Sequence, residues 1–204
     1  MARIDDYIAA RKLAVEALSA RSFDDICLAS GYVSAGDQRI RIPFLDRHYS
    51  VSYPGFDFKD ESDSEKTVLI QEQVLILHYL IAGREPQKTD NWISYREIPG
   101  ASFYFASFVK RAIDPLKNTF GQKPKELEKA AAYLGGKAIG FGDVGLEFCL
   151  FPRISLQLIL WEGDDEFPSE ANILFSNTIG DILSPEDIAW LSGMLVYRLM
   201  ALSR

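Results

Sequence analysis

The carboxyl-terminal third of the chain constrains the fold most, because short apolar runs follow one another there with only tight turns between them. The runs are 137–141, 145–151, 154–161 and 172–175, separated by Gly142-Asp143, Pro152-Arg153 and a loop at Gly163. Runs of this length bounded by glycine and proline turns predict an antiparallel meander over 137–176. Ser184-Pro185-Glu186-Asp187 then predicts a helix over 185–201, with a hydroxyl cap, proline in the first turn and acids at the positive end of the helix dipole.

The rest of the chain predicts helices around a second set of hairpins. Alanines and leucines at helical spacing indicate an amphipathic helix over 3–20. Apolar and polar residues alternate over 38–44 and 48–53, as in strands with one buried face, whereas 57–65 is acidic and predicts an exposed loop. We expect an α+β fold in a single domain over 1–204, with antiparallel sheets of hairpins packed against several amphipathic helices.

The charge and the cysteines exclude several classes of protein. The 204 residues carry a formal charge of −7, which argues against nucleic acid or an anionic membrane as the main partner. The first ten residues have no apolar core of a signal peptide, so a cytoplasmic location is expected. The chain has two cysteines, Cys27 and Cys149, too few for an iron–sulfur cluster of its own. We expect both to be small buried apolar residues, and one disulfide between them is the alternative.

Residues 140–145, Gly-Phe-Gly-Asp-Val-Gly, match the glycine pattern of dinucleotide-binding loops. That function requires a helix after the motif, because the pyrophosphate binds at a helix amino terminus. Residues 146–151 predict a strand instead. We therefore interpret the motif as a hairpin turn that needs positive φ angles.

The densest group of carboxylates is the acidic loop 162–166, which follows a predicted strand. Carboxylates in close proximity bind divalent cations or take part in acid–base chemistry, so Asp164, Asp165 and Glu166 are candidate metal ligands. A solvated loop tip is the alternative. Trp161 and Phe167 flank the loop and indicate that it is anchored.

A basic patch at 39–48 is the candidate for binding a ligand. Arg39 and Arg41 share one face of a predicted strand, and their guanidinium groups could hold a carboxylate or a phosphate. Pairing with acids of the protein itself is the alternative. His48 is a candidate base or axial ligand, and Arg153 and Trp161 complete the candidate ligand-binding residues.

Phe151-Pro-Arg-Ile-Ser-Leu-Gln-Leu-Ile-Leu-Trp-Glu-Gly-Asp-Asp-Glu-Phe-Pro168, followed by Ala171-Asn-Ile-Leu-Phe175 and Leu183-Ser-Pro-Glu-Asp187, resembles a known family. It is an uncharacterised prokaryotic domain-of-unknown-function family, family 3786, found mostly in anaerobes. The resemblance implies a setting in cofactor metabolism, since such domains sometimes follow an iron–sulfur domain similar to that of the corrinoid iron–sulfur protein. This chain lacks the cysteine-bearing segment, so the resemblance places any cluster on an iron–sulfur or corrinoid partner protein. It implies no catalytic residues.

Three functional hypotheses follow. The first is a non-catalytic binding or accessory domain in anaerobic corrinoid or iron–sulfur metabolism, with a corrinoid as a candidate cofactor of this chain and a roomy, partly apolar pocket expected for it. The second is a metal-assisted enzyme that uses the acidic loop 162–166. The third is a structural or assembly module whose aromatic surface forms an interface.

Overall fold

The computed structural model describes residues 4–63, 65–82 and 91–204. The chain forms two compact units, Met1–Pro86 and Gln87–Arg204, and each contains one antiparallel sheet together with helices. The predicted α+β class is confirmed, while the extent of one domain over 1–204 stays a prediction. No described helix combines the length and the apolar character needed to cross a membrane.

The first unit packs three helices with a three-stranded sheet, here called sheet A. Its elements are α1 (Ile4–Ser19), α2 (Phe23–Ser30), β1 (Arg39–Phe44), β2 (Arg47–Ser52), β3 (Phe58–Asp60) and α3 (Ile70–Ala82). The strand order is β1-β2-β3, and both pairings are antiparallel. The helix predicted over 3–20 is thus confirmed within the described residues. The sequence also predicts that Ser64 caps a central helix and that Gly83 ends it, and both residues lie outside the described part of the chain.

Helix α2 was not predicted from the sequence, although its end signals are present. The Ser22 side chain accepts a hydrogen bond from the Asp25 backbone N–H, and Gly31 ends the helix with a φ of 77°. A hydroxyl cap at the amino end and a glycine at the carboxyl end are typical of helix termini. The helix has eight residues, too few for an apolar periodicity to stand out.

The prediction of an exposed loop over 57–65 was wrong for its first part. Residues 58–60 pair with β2 as the third strand of sheet A, and Asp60 is only 2% exposed. The Ser62 backbone N–H and hydroxyl both donate to the Asp60 carboxylate, at 2.9 and 2.6 Å. Because these two hydrogen bonds compensate the buried charge, Asp60 can occupy an inward-facing position of a strand.

The second unit contains a five-stranded antiparallel sheet, here called sheet B, with strand order β4-β8-β7-β6-β5. Its strands are β4 (Trp92–Ser94), β5 (Lys137–Ile139), β6 (Val144–Phe151), β7 (Ile154–Trp161) and β8 (Glu170–Ser176). Its helices are α4 (Phe105–Phe108), α5 (Asp114–Phe120), α6 (Pro124–Tyr133) and α7 (Pro185–Leu202). The predicted meander over 137–176 and the closing helix over 185–201 are confirmed. The Ser184 hydroxyl caps α7 by accepting from the Asp187 backbone N–H.

Proline shapes the long helical segment between β4 and α6. A π-helical turn, Val109–Ile113, joins α4 to α5, so the helix continues through Pro115 with one widened turn. Pro115 has no N–H and cannot complete the regular hydrogen bond to the carbonyl of Arg111, a defect that a widened turn accommodates. Gly193 of α7 packs against this turn, where a Cβ atom would lie 3.3 Å from the Arg111 Cβ.

The two cysteines are both free thiols. Cys27 is buried in α2, as predicted, and burial raises the pKa of its thiol. Cys149 is exposed on β6, so the expectation of a buried residue was wrong there. Its strand position faces away from the core, where alternation directs every second side chain.

Candidate functional site

The glycine motif forms the β5–β6 hairpin. Residues 146–151 lie in β6, which removes the helix that a bound pyrophosphate would need. Gly142 has a φ of 68°, and the Asp143 backbone N–H donates to the carbonyl of Leu160 on the neighbouring strand, at 2.9 Å. The hairpin turn 140–143 therefore lies at the same edge of sheet B as the start of the loop that follows β7.

Hydrogen bonds anchor the acidic loop to its surroundings. The Glu162 backbone N–H donates to the Asp143 carboxylate at 2.7 Å, which ties the loop to the hairpin turn. Gly163 exchanges two hydrogen bonds with the α5–α6 turn: its N–H donates to the Gly121 carbonyl, and its carbonyl accepts from the Gln122 side chain. The loop is thus anchored, as predicted, but hydrogen bonds hold it on two sides, whereas the flanking Trp161 and Phe167 are exposed.

Asp164 stabilises the loop from within. Its carboxylate accepts hydrogen bonds from the backbone N–H groups of Phe167 and Glu166, at 2.7 and 2.9 Å. These donors, the Phe167 N–H first, lower the pKa of Asp164. Asp165 and Glu166 are exposed. Within 4–63, 65–82 and 91–204 there is no group of three His, Cys, Asp or Glu side chains arranged to hold a metal ion, and metal binding by Asp164, Asp165 and Glu166 stays a prediction.

Three aromatic side chains project from this edge of the sheet. Phe141 is 61% exposed, Trp161 42% and Phe167 67%. We call residues 140–143 and 161–167 together the tip. The tip carries five carboxylates and no lysine or arginine, so it combines an apolar surface with strong negative charge. The sequence pattern singled out Trp161 and Phe167 but missed Phe141, which it placed at the end of a strand rather than in the turn.

The candidate ligand-binding residues of the first unit lie on sheet A. Arg39 and Arg41 share the outward face of β1, as predicted, because strand burial alternates along 39–44. The outward positions of β2 are His48, Ser50 and Ser52. Arg47 departs from the predicted patch, since it lies on the inward face and approaches the Asp60 carboxylate at 3.9 Å.

The remaining two candidates lie on sheet B. Arg153 is half-buried in the β6–β7 turn, whereas Trp161 ends β7 at the opposite edge of the sheet. Each sheet therefore carries its own candidates. Arg39, Arg41 and His48 belong to sheet A, and Trp161 belongs to the tip with the acidic loop.

Behind the outward face, sheet A contains a buried polar network. The hydroxyl of Tyr49, a fully buried residue, donates to the Glu72 carboxylate of α3. Burial, together with the adjacent Glu72 charge, raises the pKa of Tyr49. Arg47 and Asp60 complete the network, and the hydrogen bond from the Ser62 hydroxyl is the main cause that lowers the pKa of Asp60. Because Tyr49 has no exposed surface, we assign the network a structural role, which is to link β2 to α3.

The network makes the first unit sensitive to acid. A carboxylate with a lowered pKa in the folded state contributes stability above its unfolded pKa of about 3.9, and this contribution is lost as the pH falls through the folded value. We therefore expect β2 and β3 to lose protection from hydrogen exchange as the pH falls below about 4. In Asp60→Asn this part of the pH dependence should disappear, since the group no longer titrates.

Asp57→Asn is the matched control, because Asp57 is an exposed carboxylate next to the same strand. The pH profile of this variant is expected to follow the native one. Asp60→Ala should cost about 1–3 kcal/mol at neutral pH, because the Ser62 donors and Arg47 lose their acceptor. An unchanged acid profile in Asp60→Asn would contradict the assignment.

Comparison with known protein families identifies the family of this chain. The family described as a domain of unknown function, DUF3786, matches residues 22–198. The chain belongs to the DUF3786 family. The match includes both sheet A and the tip, so the two surfaces lie within the family's domain, and it confirms the predicted family resemblance. No curated protein and no solved structure matches the chain.

Proposed function

We propose that this DUF3786 protein is a non-catalytic binding domain that docks onto a partner protein through the tip. The observation that carries the proposal is the exposure of Phe141, Trp161 and Phe167 on the tip, whose backbone is held in place by hydrogen bonds. A few residues supply most of the binding energy of a protein interface, and these residues are enriched in Trp, Tyr and Arg. Apolar surface that is grouped at one edge of sheet B favours an interface, and this explains why the three side chains are exposed.

The anchoring of the loop supports the same function. Ordering a flexible loop on binding costs free energy, so a loop already fixed by Asp164, Gly121 and Gln122 binds at lower cost. The surrounding carboxylates would form a polar rim that steers a partner with a basic surface and speeds encounter. The partner is therefore expected to present an apolar patch bordered by lysine or arginine.

We infer that the cofactor implied by the family resemblance belongs to the partner protein. A cavity of about 320 Å³ is lined by Thr119, Lys123, Glu126, Met200, Ser203 and Arg204. Its volume is near the lower limit for enclosing a drug-sized ligand, and a corrinoid is larger. An iron–sulfur cluster commonly takes four cysteines, and the chain has two. These residues do not fit either group, so we propose an iron–sulfur or corrinoid protein as the partner.

Site-specific crosslinking tests this proposal. A photoreactive phenylalanine analogue at position 141 is expected to form an adduct in cells that express the chain natively, and the adduct should contain a protein that binds an iron–sulfur cluster or corrinoid. With that protein purified, Trp161→Ala should weaken the measured affinity at least about tenfold, because loss of an interface anchor costs about 2 kcal/mol.

Phe103 provides the matched control. It is 86% exposed in the same unit but lies outside the tip, so the analogue at position 103 should give no such adduct and Phe103→Ala should keep the native affinity. Equal crosslinking from both positions, or binding that survives the Trp161 change, would contradict docking through the tip. An adduct with a protein that carries neither cofactor would contradict only the identity of the partner.

A further inference from the structure

The outward face of sheet A carries a group of cations that docking through the tip does not use. Strand register places Arg41 beside Ser50 and Ser50 beside Lys59, with Arg39 two residues along β1. Residues two apart on a strand lie about 7 Å from each other, and neighbouring strands are about 5 Å apart. Arg39, Arg41 and Lys59 therefore surround Ser50, and we call these four residues the basic face.

Among the described residues, two of the three cations have no acidic partner. Arg41 donates from Nε to both carboxylate oxygens of Glu61, at 2.8 and 3.1 Å. In the described part of the chain no carboxylate lies within 4.0 Å of Arg39 or Lys59. The Arg39 guanidinium reaches the Ser50 hydroxyl at 3.5 Å. The basic face thus keeps about two uncompensated positive charges.

This excess is unusual for the composition of the chain. Acids outnumber lysine and arginine by 29 to 22, yet among the described residues no carboxylate lies within 4.0 Å of Arg39 or Lys59, although Asp57 and Glu61 are each two residues from Lys59 in the chain. Like charges held together on one sheet repel each other and destabilise it, at a cost that a bound anion would offset. The basic face is therefore suited to an anion with about two negative charges.

The donors match a phosphate monoester better than a carboxylate. A phosphorylated side chain carries about −1.5 to −2 charges and three acceptor oxygens. The basic face offers donors on three sides of Ser50, from two guanidinium groups and one ammonium group, in addition to the Ser50 hydroxyl. A planar carboxylate has two oxygens, and Glu61 already shows that one carboxylate engages Arg41 alone. Glu61 is a weak competitor, because ion pairs between exposed side chains contribute little to stability.

The open surface favours a phosphate carried by a protein. Arg41, His48 and Lys59 are exposed on a sheet face, whereas sites for small molecules are usually concave and enclose most of the ligand. Arginine clusters are a recurring means of recognising phosphorylated segments of proteins. We propose that the basic face binds a phosphorylated serine or threonine side chain of a partner protein.

Binding of labelled peptides to the full chain tests the proposal. The probe is a fluorescein-labelled Gly/Ala decapeptide with one central phosphoserine, and the comparison peptides carry serine or glutamate at that position. The phosphopeptide is expected to bind at least about tenfold more tightly than the glutamate peptide. Arg39→Ala and Lys59→Ala should each weaken its binding about tenfold, while Lys12→Ala, an exposed lysine on α1, should not.

Glu61→Gln distinguishes a binding role from a structural one. Removing the competing carboxylate frees Arg41, so binding of the phosphopeptide should tighten about twofold to fivefold, although the variant loses an ion pair. Equal affinity for the glutamate peptide, equal affinity in Arg39→Ala and Lys59→Ala, or no binding of the phosphopeptide would each overturn the proposal. If free phosphoserine binds as tightly as the phosphopeptide, the claim that the phosphate is carried by a partner protein is overturned. None of these outcomes depends on the tip.

Discussion

Replacing Gly142 or Gly145 by alanine is expected to destabilise the second unit by about 2–4 kcal/mol, whereas Gly140→Ala should leave its stability unchanged. Gly142 has a φ of 68°, and a Cβ there would lie 2.7 Å from the Leu160 carbonyl oxygen. A Cβ on Gly145 would lie 2.4 Å from the carbonyl oxygen of Phe141. Both clashes involve backbone atoms, which can move only if the hairpin is distorted. At Gly140 nothing lies within 4 Å of the added atom.

Tryptophan fluorescence during urea unfolding measures this difference in the second unit alone, because all three tryptophans, Trp92, Trp161 and Trp190, lie in Gln87–Arg204. Alanine at Gly142 or Gly145 should lower the free energy of unfolding, whereas alanine at Gly140 should not. This pattern would follow from a tight hairpin and not from a phosphate-binding loop. Loss of stability in Gly140→Ala equal to that in Gly142→Ala would contradict the explanation.

Phe108→Ala is expected to destabilise the second unit by about 3–5 kcal/mol, more than either glycine substitution. The Phe108 ring stacks on Tyr95 with centroids 4.2 Å apart and an interplanar angle of 3°, and it meets Phe175 of sheet B edge-on at 6.1 Å. Phe108 is buried, so its removal leaves a cavity between the helical segment and the sheet. Two aromatic contacts are lost in addition to the apolar burial.

The matched control is Phe103→Ala, which removes the same side chain from an exposed position five residues earlier. Its stability should stay within about 0.5 kcal/mol of the native value, as for most surface changes. The same urea titration compares the two variants. A cost below about 1 kcal/mol for Phe108→Ala would show that these three aromatic rings do not form the core of this unit.

Local patterns predicted the regular elements well where a short stretch of chain fixes its own conformation. The Ser184-Pro185 helix start, the strand Ile154–Trp161 and the hairpin at Gly142 follow from caps, alternation and turn residues. The same patterns failed where a distant contact decides. Residues 58–60 form a strand because β2 supplies the pairing partner, while the neighbouring Ser62 satisfies the buried Asp60 carboxylate locally.

The candidate sites show the same contrast between features that local sequence predicts and features that distant contacts decide. The sequence identified Arg39, Arg41, Trp161 and Phe167 as residues of interest, because their chemistry is visible without a structure. It could not place Lys59 on the basic face, since strand pairing across Ser50 brings that residue there. It also could not assign Arg47 to the inward face, where the buried network holds it.

By itself the sequence determined the α+β class, the family and the turns, since periodicity, caps and glycine positions act over a few residues. Only the tertiary structure decided which charges lie together and which aromatic residues stay exposed. Those features depend on strand register and on contacts between residues far apart in the chain, such as Gly121 with Gly163. A shift of register by one residue would turn Arg39 and Arg41 inward.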